Sequence, residues 1–499
     1  NDRGNIDYDA IYGYNLSTSG AGGNYAAEGG YVTRASMNMH NWLGMVTKFE
    51  VDFSETLTLN VGADLRTYYG EHFRIVENFH GLQTWQENIR LRDQNNNHQT
   101  YGSYGTYKNV ITARDLAANP WYATFAKFNQ DEKIAYSNDE RISYAGLFAQ
   151  FEYSGDVFSA FFQGAVSNQS HQRFDHYQYA DQTLIDGTSS QATGALPGGI
   201  EDGVDSEKVS NLGYNVKFGG SWAIGDAHKL FVNAGYYSRQ PYHDNIYVNY
   251  TNQINDLMSN ETIVGLEAGY SYSTPNFSTN VNLYRTNWKD RVTASAFVEN
   301  DVVLFTVNEG VEQLHTGIEV DFRAKPQPDM PYTLTGFVSV GDWNYVGSVF
   351  ERVYDENQNL ISDLEETDVD GGKVGDAAQF TAGMGIDVQL AERLSLDSDV
   401  RFYDNLYASG GARKENLKVP SYHVVDMGMS YKMYVGDAGN SLNLRLNVNN
   451  LFDAVYINEL RSAIAAGDGT GVLYNGVDTA NQGYFGMGRT WNVGLRYKF

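Results

Sequence analysis

The closing stretch of the chain, Thr490 to Phe499, constrains its fold most. Trp491, Val493, Leu495, Tyr497 and Phe499 alternate with Asn492, Gly494, Arg496 and Lys498. Successive side chains of a strand point to opposite faces, so this segment presents one apolar face and one polar face. One face suits lipid and the other water. An amphipathic edge strand of a soluble sheet shows the same alternation, but it leaves a row of unpaired backbone groups, which closure into a barrel removes.

Composition agrees with a membrane barrel. The 499 residues include 51 Gly, 37 Tyr and 25 Phe but only 8 Pro, and no linker rich in Pro or Ser divides them. The mean hydropathy of −0.45 suggests a water-soluble protein, and no apolar run approaches the roughly 18 residues of a membrane-spanning helix. That test is blind to strands. Alternation halves the apolar content of each crossing, and polar loops dilute it further. The Tyr and Phe excess fits aromatic girdles at two membrane interfaces. The absence of Cys fits passage through an oxidising periplasm. A formal net charge of −26 argues against nucleic acid as a partner. Asn1 is neither an initiator Met nor the start of a secretory signal.

Along the chain one device recurs: two alternating strands joined by a short turn, followed by a long polar excursion. Residues 1–39 have no sustained period and read as an extracellular loop region. The barrel begins near residue 40. Met45, Thr47, Phe49, Val51 and Phe53 form one face, a turn falls at Ser54 to Thr56, and Leu57, Leu59, Val61, Ala63 and Leu65 resume the face. Further short turns are expected at Ser154 to Asp156, Gly225 to Ala227, Thr274 to Asn276, Lys325 to Met330, Ala391 to Arg393 and Tyr434 to Asn440. Long loops are expected over Arg74–Glu140, Phe174–Ser210, His243–Asn260, Trp288–Val311, Val346–Ala378, Ser409–Pro420 and Ala454–Gly488. Short periplasmic turns with long outer loops define an all-β, antiparallel transmembrane β-barrel. Glu267, Glu319, Asp321, Asp397, Asp399 and Arg401 then face the lumen.

Two patterns add a resemblance. The spacing Asn492, Gly494, Tyr497, Phe499 resembles the signal by which the bacterial outer-membrane assembly machinery recognises a terminal strand. Asn450, Leu451, Phe452 and Asp453 lie one loop earlier, and together the two patterns resemble the carboxy-terminal signature of TonB-dependent outer-membrane transporters. Asn41-Trp42-Leu43-Gly44 through Asp64-Leu65-Arg66-Thr67-Tyr68-Tyr69-Gly70-Glu71-His72-Phe73 is similar to a segment of the SusC/RagA-like branch of Bacteroidota. The resemblance covers residue 40 to the end. It implies an outer membrane of a Gram-negative cell, outer-membrane lipids around the wall, and active import energised by the TonB-ExbB-ExbD motor. It also implies an extracellular small ligand, oligosaccharide or peptide in this branch and siderophore elsewhere, and a possible SusD-like surface lipoprotein. The family's amino-terminal plug and TonB box have no counterpart in these residues.

No motif for catalysis or a resident cofactor appears, so an enzyme is not expected. His171, His176 and Asp175 read as solvated residues at a strand top rather than as a metal cluster. Asp368, Asp370 and Gly371 lack the remaining ligands of a calcium loop. Trp85, Tyr101, Trp121, Tyr122, Trp343 and Tyr345 stand in or near the excursions, where flat rings could stack on a ligand. Girdle or loop packing is the competing reading.

Seven hairpins and the terminal strand make about fifteen strands, against roughly 22 for a plugged transporter. The chain also starts outside and finishes inside, and single-chain bacterial barrels are even-numbered. These residues are therefore expected to be the carboxy-terminal portion of a longer barrel. A passive pore or a structural barrel is the rival.

Overall fold

The computed structural model describes residues 6–18, 30–90, 106–113, 125–129, 132–176, 204–247, 252, 254–255, 257–299, 302–327, 330–355, 360–409, 411–436 and 439–499. One antiparallel sheet of eighteen strands organises them. Three of these, Val204–Asp205 and the hairpin Ser348–Asp355 with Leu360–Asp368, are outer additions. The remaining fifteen run in series around the wall (18 − 3). They are β1 (Thr33–Asp52), β2 (Leu57–Asn78), β3 (Lys133–Ser154), β4 (Phe158–Asp175), β5 (Val209–Ile224), β6 (His228–Arg239), β7 (Glu261–Ser273) and β8 (Phe277–Glu299). β9 (Val302–Ala324), β10 (Tyr332–Val346), β11 (Phe380–Ala391), β12 (Leu394–Asp404), β13 (Tyr422–Val435), β14 (Asn440–Asn449) and β15 (Thr490–Lys498) complete the series.

Each strand pairs with the next, and all seven expected short turns join hairpin partners. Among the described residues β1 bonds only to β2, and β15 only to β14. The sheet therefore has two open edges.

The apolar face is continuous between neighbours. Trp491, Val493, Leu495 and Tyr497 stand opposite Val448, Leu446, Leu444 and Leu442, while Asn492 stands opposite Asn447 and Gly494 opposite Arg445. Trp491 is 71% exposed and Leu495 68%. Exposed apolar side chains such as Leu147, Phe151, Phe162, Phe218, Val232 and Leu283 carry that band around the sheet.

The other face is a polar lattice. Arg445 donates to both carboxylate oxygens of Asp397, at 2.6 and 2.8 Å, across the intervening β13. Gly428 lies beneath this bridge, and a Cβ there would meet the Arg445 guanidinium at 2.2 Å and Asp397 at 2.6 Å. Arg401 pairs with Asp399 and Asp426, and Asn280 donates to Asp321 at 3.0 Å.

Outside the membrane the expectations need correction. Residues 1–39 are not wholly irregular: helix α1 spans Tyr8–Thr18, and β1 begins at Thr33. Asn15, fully buried, explains the docking of α1. Its amide donates to the carbonyls of Tyr31 and His80 at 2.8 and 3.0 Å, and its oxygen accepts Tyr31 N–H at 2.8 Å. Trp288–Val311 is not a loop, because β8 and β9 remain paired through it. Likewise, part of Val346–Ala378 is the outer hairpin. A barrel strand needs about 9–11 residues to cross a bilayer, whereas β2 and β3 have 22 and β8 and β9 have 23. Their upper halves stand in water, where strict alternation has no cause.

The hydrophobic cores lie under the outer loops. One gathers Val76, Phe79, Leu82, Ile111 and Ile134; a second Val311, Tyr345, Val349, Val369, Val374 and Ala412; a third Leu406, Ala408, Val419, Ile457, Leu460 and Val477. A wall one sheet thick has no core of its own, so its outer ends are where loops bury apolar surface.

Candidate functional site at the outer mouth

Above the apolar band the inner faces of β2, β3 and β4 hold a buried polar group. Glu140 accepts from His72 Nε2 at 3.1 Å, and His243 Nε2 lies 3.4 Å from its other oxygen. His72 Nδ1 meets Asn38 at 2.7 Å. His171 is 5.6 Å from His243, ring centre to ring centre. Arg173, beside them, pairs with Asp175 at 2.7 Å.

Burial works against the Glu140 charge. The His72 hydrogen bond, His243 and the Tyr68 hydroxyl outweigh it and hold the carboxyl down at about 2. Burial pushes the His171 and His243 imidazoles down to about 4, so both are neutral at pH 7. The Glu140 hydrogen bond raises His72, and burial followed by the Glu140 charge raises Asp244.

His243 opens α2 (His243–Ile246), in the segment joining β6 to β7. Ile246 and Tyr247 are 0% and 1% exposed. Tyr247 OH donates to the carbonyls of Glu207 and His171 at 2.8 and 3.2 Å. Further along, Asn252 accepts from Arg173 at 2.8 Å, and Asn255 accepts from Arg352, which is also bound to Glu309 at 2.9 Å. One loop thus touches β3 and β4 on one side and the hairpin attached to β9 on the other.

Where β12 ends and β13 begins, Tyr403, Tyr422 and Tyr456 stack at 4.9 and 4.2 Å. Gly486 lies against the Tyr456 ring, where a Cβ would fall 2.0 Å from it.

The expected ligand aromatics divide. Tyr101, Trp121 and Tyr122 lie outside the described residues. Trp85 packs half-buried against the first outer core. Trp343 is half-buried, stacked on His315 at 5.1 Å and donating to Tyr284 OH at 2.9 Å. Tyr345, 6% exposed, belongs to the second core, so its face is occupied by protein and not offered to a ligand. The trio noted at the β4 top is dispersed. His171 faces His243, Asp175 pairs with Arg173, and His176 meets Asp139 at 2.7 Å. Among the described residues no three His, Asp or Glu side chains are placed to hold a metal ion. Asp368 and Asp370 engage Lys414 and the Gly347 N–H.

The Asn450-Leu451-Phe452-Asp453 segment is a turn with two residues at positive φ, Asn450 at 51° and Asp453 at 57°. Asn450 is 4% exposed; its amide donates to Ala454 O and Met487 O, and its own N–H donates to Asp426. Asn tolerates the left-handed region and can bond backbone on both sides. Asn492 accepts from Asn447 at 2.8 Å on the lumen side, while Tyr497 and Phe499 point outward, their rings 6.3 Å apart.

Alternating faces, short turns and protruding strands define the wall of an outer-membrane β-barrel. A family model, TonB dependent receptor-like, beta-barrel, matches residues 1–451, and the chain belongs to that family. Family members reside in the Gram-negative outer membrane and are transporters and receptors rather than enzymes. No curated protein matches the sequence.

Among solved structures, the chain is similar to the copper transporter OprC, at 12% identity and TM-score 0.56, covering 93% of this chain and 57% of that one. It is similar to the ferric citrate transporter FecA in the unliganded form, at 11% identity and TM-score 0.54, covering 93% and 56%. The ferric yersiniabactin uptake receptor FyuA from Yersinia pestis gives 12% identity and TM-score 0.54, covering 94% and 56%. These likenesses concern the fold. The chain spans just over half the length of these structures.

Proposed function

We propose that the chain is the carboxy-terminal wall of a gated importer, with the closing strands and a plug supplied by a longer polypeptide. The open edges of β1 and β15 carry this reading. In lipid an unpaired backbone N–H or C=O costs several kcal/mol, so a membrane sheet must close on further strands. Fifteen strands of roughly 22 leave about seven to come. The charged lattice around Asp397, Arg401 and Arg445 offers such a plug a polar bed, and the outer mouth offers a ligand a walled vestibule.

Import is energised by the TonB-ExbB-ExbD motor. The cargo is an oligosaccharide or peptide, delivered with a SusD-like lipoprotein in a SusC/RagA-like system of a Bacteroidota outer membrane. This finer assignment rests on the Asn41–Phe73 resemblance. A siderophore is the second cargo class, and a passive pore or structural barrel is the rival in kind.

Uptake of labelled oligosaccharides and peptides by cells expressing the full-length protein tests the reading. Import should stop when the motor is deleted. Uptake that persists without it supports the pore, and growth only on ferric chelates supports the siderophore reading.

A further inference from the structure

Alternation and turns do not align every pair of neighbours in this wall. A slip of one residue between strands would turn apolar side chains to the lumen, so alternation forbids it, but a slip of two keeps both faces intact. At the short-turn hairpins the turn itself sets the register. The other interfaces, β2 with β3, β4 with β5, β6 with β7, β8 with β9, β10 with β11, β12 with β13 and β14 with β15, are joined at the outer end. All but one of these joins are long, the shortest being residues 405–421. β8 and β9 join over residues 300–301, but two register irregularities between Trp288 and Thr293 separate that join from the membrane part.

On the lumen face five of the outer-joined interfaces set an aromatic ring directly opposite a glycine. Phe148 faces Gly62, Phe161 faces Gly219 and Phe231 faces Gly269. Tyr284 faces Gly317, and Phe337 faces Gly383. In each pair the ring occupies the space that a Cβ on the glycine would take. The last two interfaces use a charged residue in the same way, Asp397 opposite Gly428 and Arg445 opposite Gly494. Among the described residues no Phe, Tyr or Trp stands opposite a glycine on the lumen face of a short-turn hairpin. Phe322 covers Gly336 in one of those hairpins, but on the lipid face.

We propose that the glycine pairs are register keys, each aligning two strands whose join cannot align them. Shifted by two residues, Phe231 would meet Glu267 or Ser271, and Phe148 would meet Asn60 or Asp64. A side chain would then stand where the ring now lies, and the ring would have to leave its rotamer or part the strands. A ring laid over glycine keeps both its contact and its rotamer. Phe337 has a second glycine, Gly385, two residues along, so that key bars slippage in one direction only. Register fixes the shear of a barrel, and shear with strand number fixes its diameter. The keys therefore set the bore of the lumen, in an importer and in a plain pore alike.

Phe231 and Gly269 give the cleanest test, because the nearest atoms at Gly269 all belong to the Phe231 ring. The chain has no Cys, so oxidised cysteine pairs in the folded full-length protein report the register. Ala234 stands opposite Leu266, and a slip of two would bring it to Val264 or Ala268. Ala234→Cys with Leu266→Cys should join in the unaltered wall, whereas Ala234→Cys with Val264→Cys or Ala268→Cys should give only background. Gly269→Val, and separately Phe231→Ala, should raise a slipped product at least severalfold. Moving the ring across, Phe231→Gly with Gly269→Phe, should restore the Leu266 product alone. Ser271→Val, on the same face but outside any key, should leave the pattern unchanged. If a single variant does not assemble, the exchange decides through the amount of heat-modifiable barrel, which it should restore. Native pairing alone in both single variants, equal slippage in Ser271→Val, or an exchange that recovers neither barrel nor native product overturns the proposal.

Discussion

Asp453 accepts the backbone N–H of Arg489 at 2.7 Å and so fixes the entry to the terminal strand from 36 residues away in sequence. Asn450 supplies the second tie through Met487 O at 3.2 Å. The loop from Ala454 to Gly488 is thereby closed at its base before β15 pairs with β14. Asp453→Ala should leave Arg489 N–H without its partner and weaken the wall by about 1–2 kcal/mol. The urea midpoint of the folded, heat-modifiable form measures this, and Asp453→Asn should retain most of the stability.

Tyr497→Ala with Phe499→Ala should block assembly far more than ligand binding. Both rings lie at the carboxy-terminal end of the final strand, Phe499 being 95% exposed, so their loss removes little packing within this chain. The amount of heat-modifiable barrel in the outer membrane is the readout. A normal amount in the double variant would contradict the assembly role.

A charge should be costly on one face and tolerated on the other. Ile386 pairs with Leu334 and Ser398 on the apolar side, whereas Asp387 stands opposite Asp397 in the lumen lattice. Ile386→Arg should cost about 2–4 kcal/mol near the bilayer midplane. Asp387→Arg introduces a cation opposite Asp397 and should cost much less. Equal losses in denaturant titrations would mean that the faces have been assigned wrongly.

Gly428→Val tests the lumen lattice. A side chain at Gly428 would wedge between Arg445 and Asp397, and overpacking of this kind typically costs about 1–3 kcal/mol. In the Arg445→Ala background the wedge has less to displace, so the two losses should be less than additive in a double-mutant cycle.

The wall was legible because lipid imposes a period of two on every crossing. That rule exposed the faces of β11 and β15 and all the short turns. Above the membrane the constraint lapses, so the continuation of β8 and β9 through Trp288 and Val311 carried no such signal. Asn15 reads as a loop residue until Tyr31 and His80 are seen around it. The buried histidine group around Glu140 was hidden for another reason. His72, Glu140, His171 and His243 are separated by long stretches of sequence, and only the sheet order brings them together. Tyr345 misled because a ring packed in an outer core and a ring offered to a ligand look the same in sequence.

Cross-linking across the open edges of the full-length protein tests the central claim most directly. Val493→Cys with Leu446→Cys, which face each other on β15 and β14, should join with a short bismaleimide and serves as the reference. Val493→Cys paired in turn with Met45→Cys, Thr47→Cys or Phe49→Cys on β1 should give no product if, as proposed, about seven further strands separate β15 from β1. Efficient cross-linking of β1 to β15 would mean that this chain closes on itself, which contradicts the larger gated barrel and favours a plain pore.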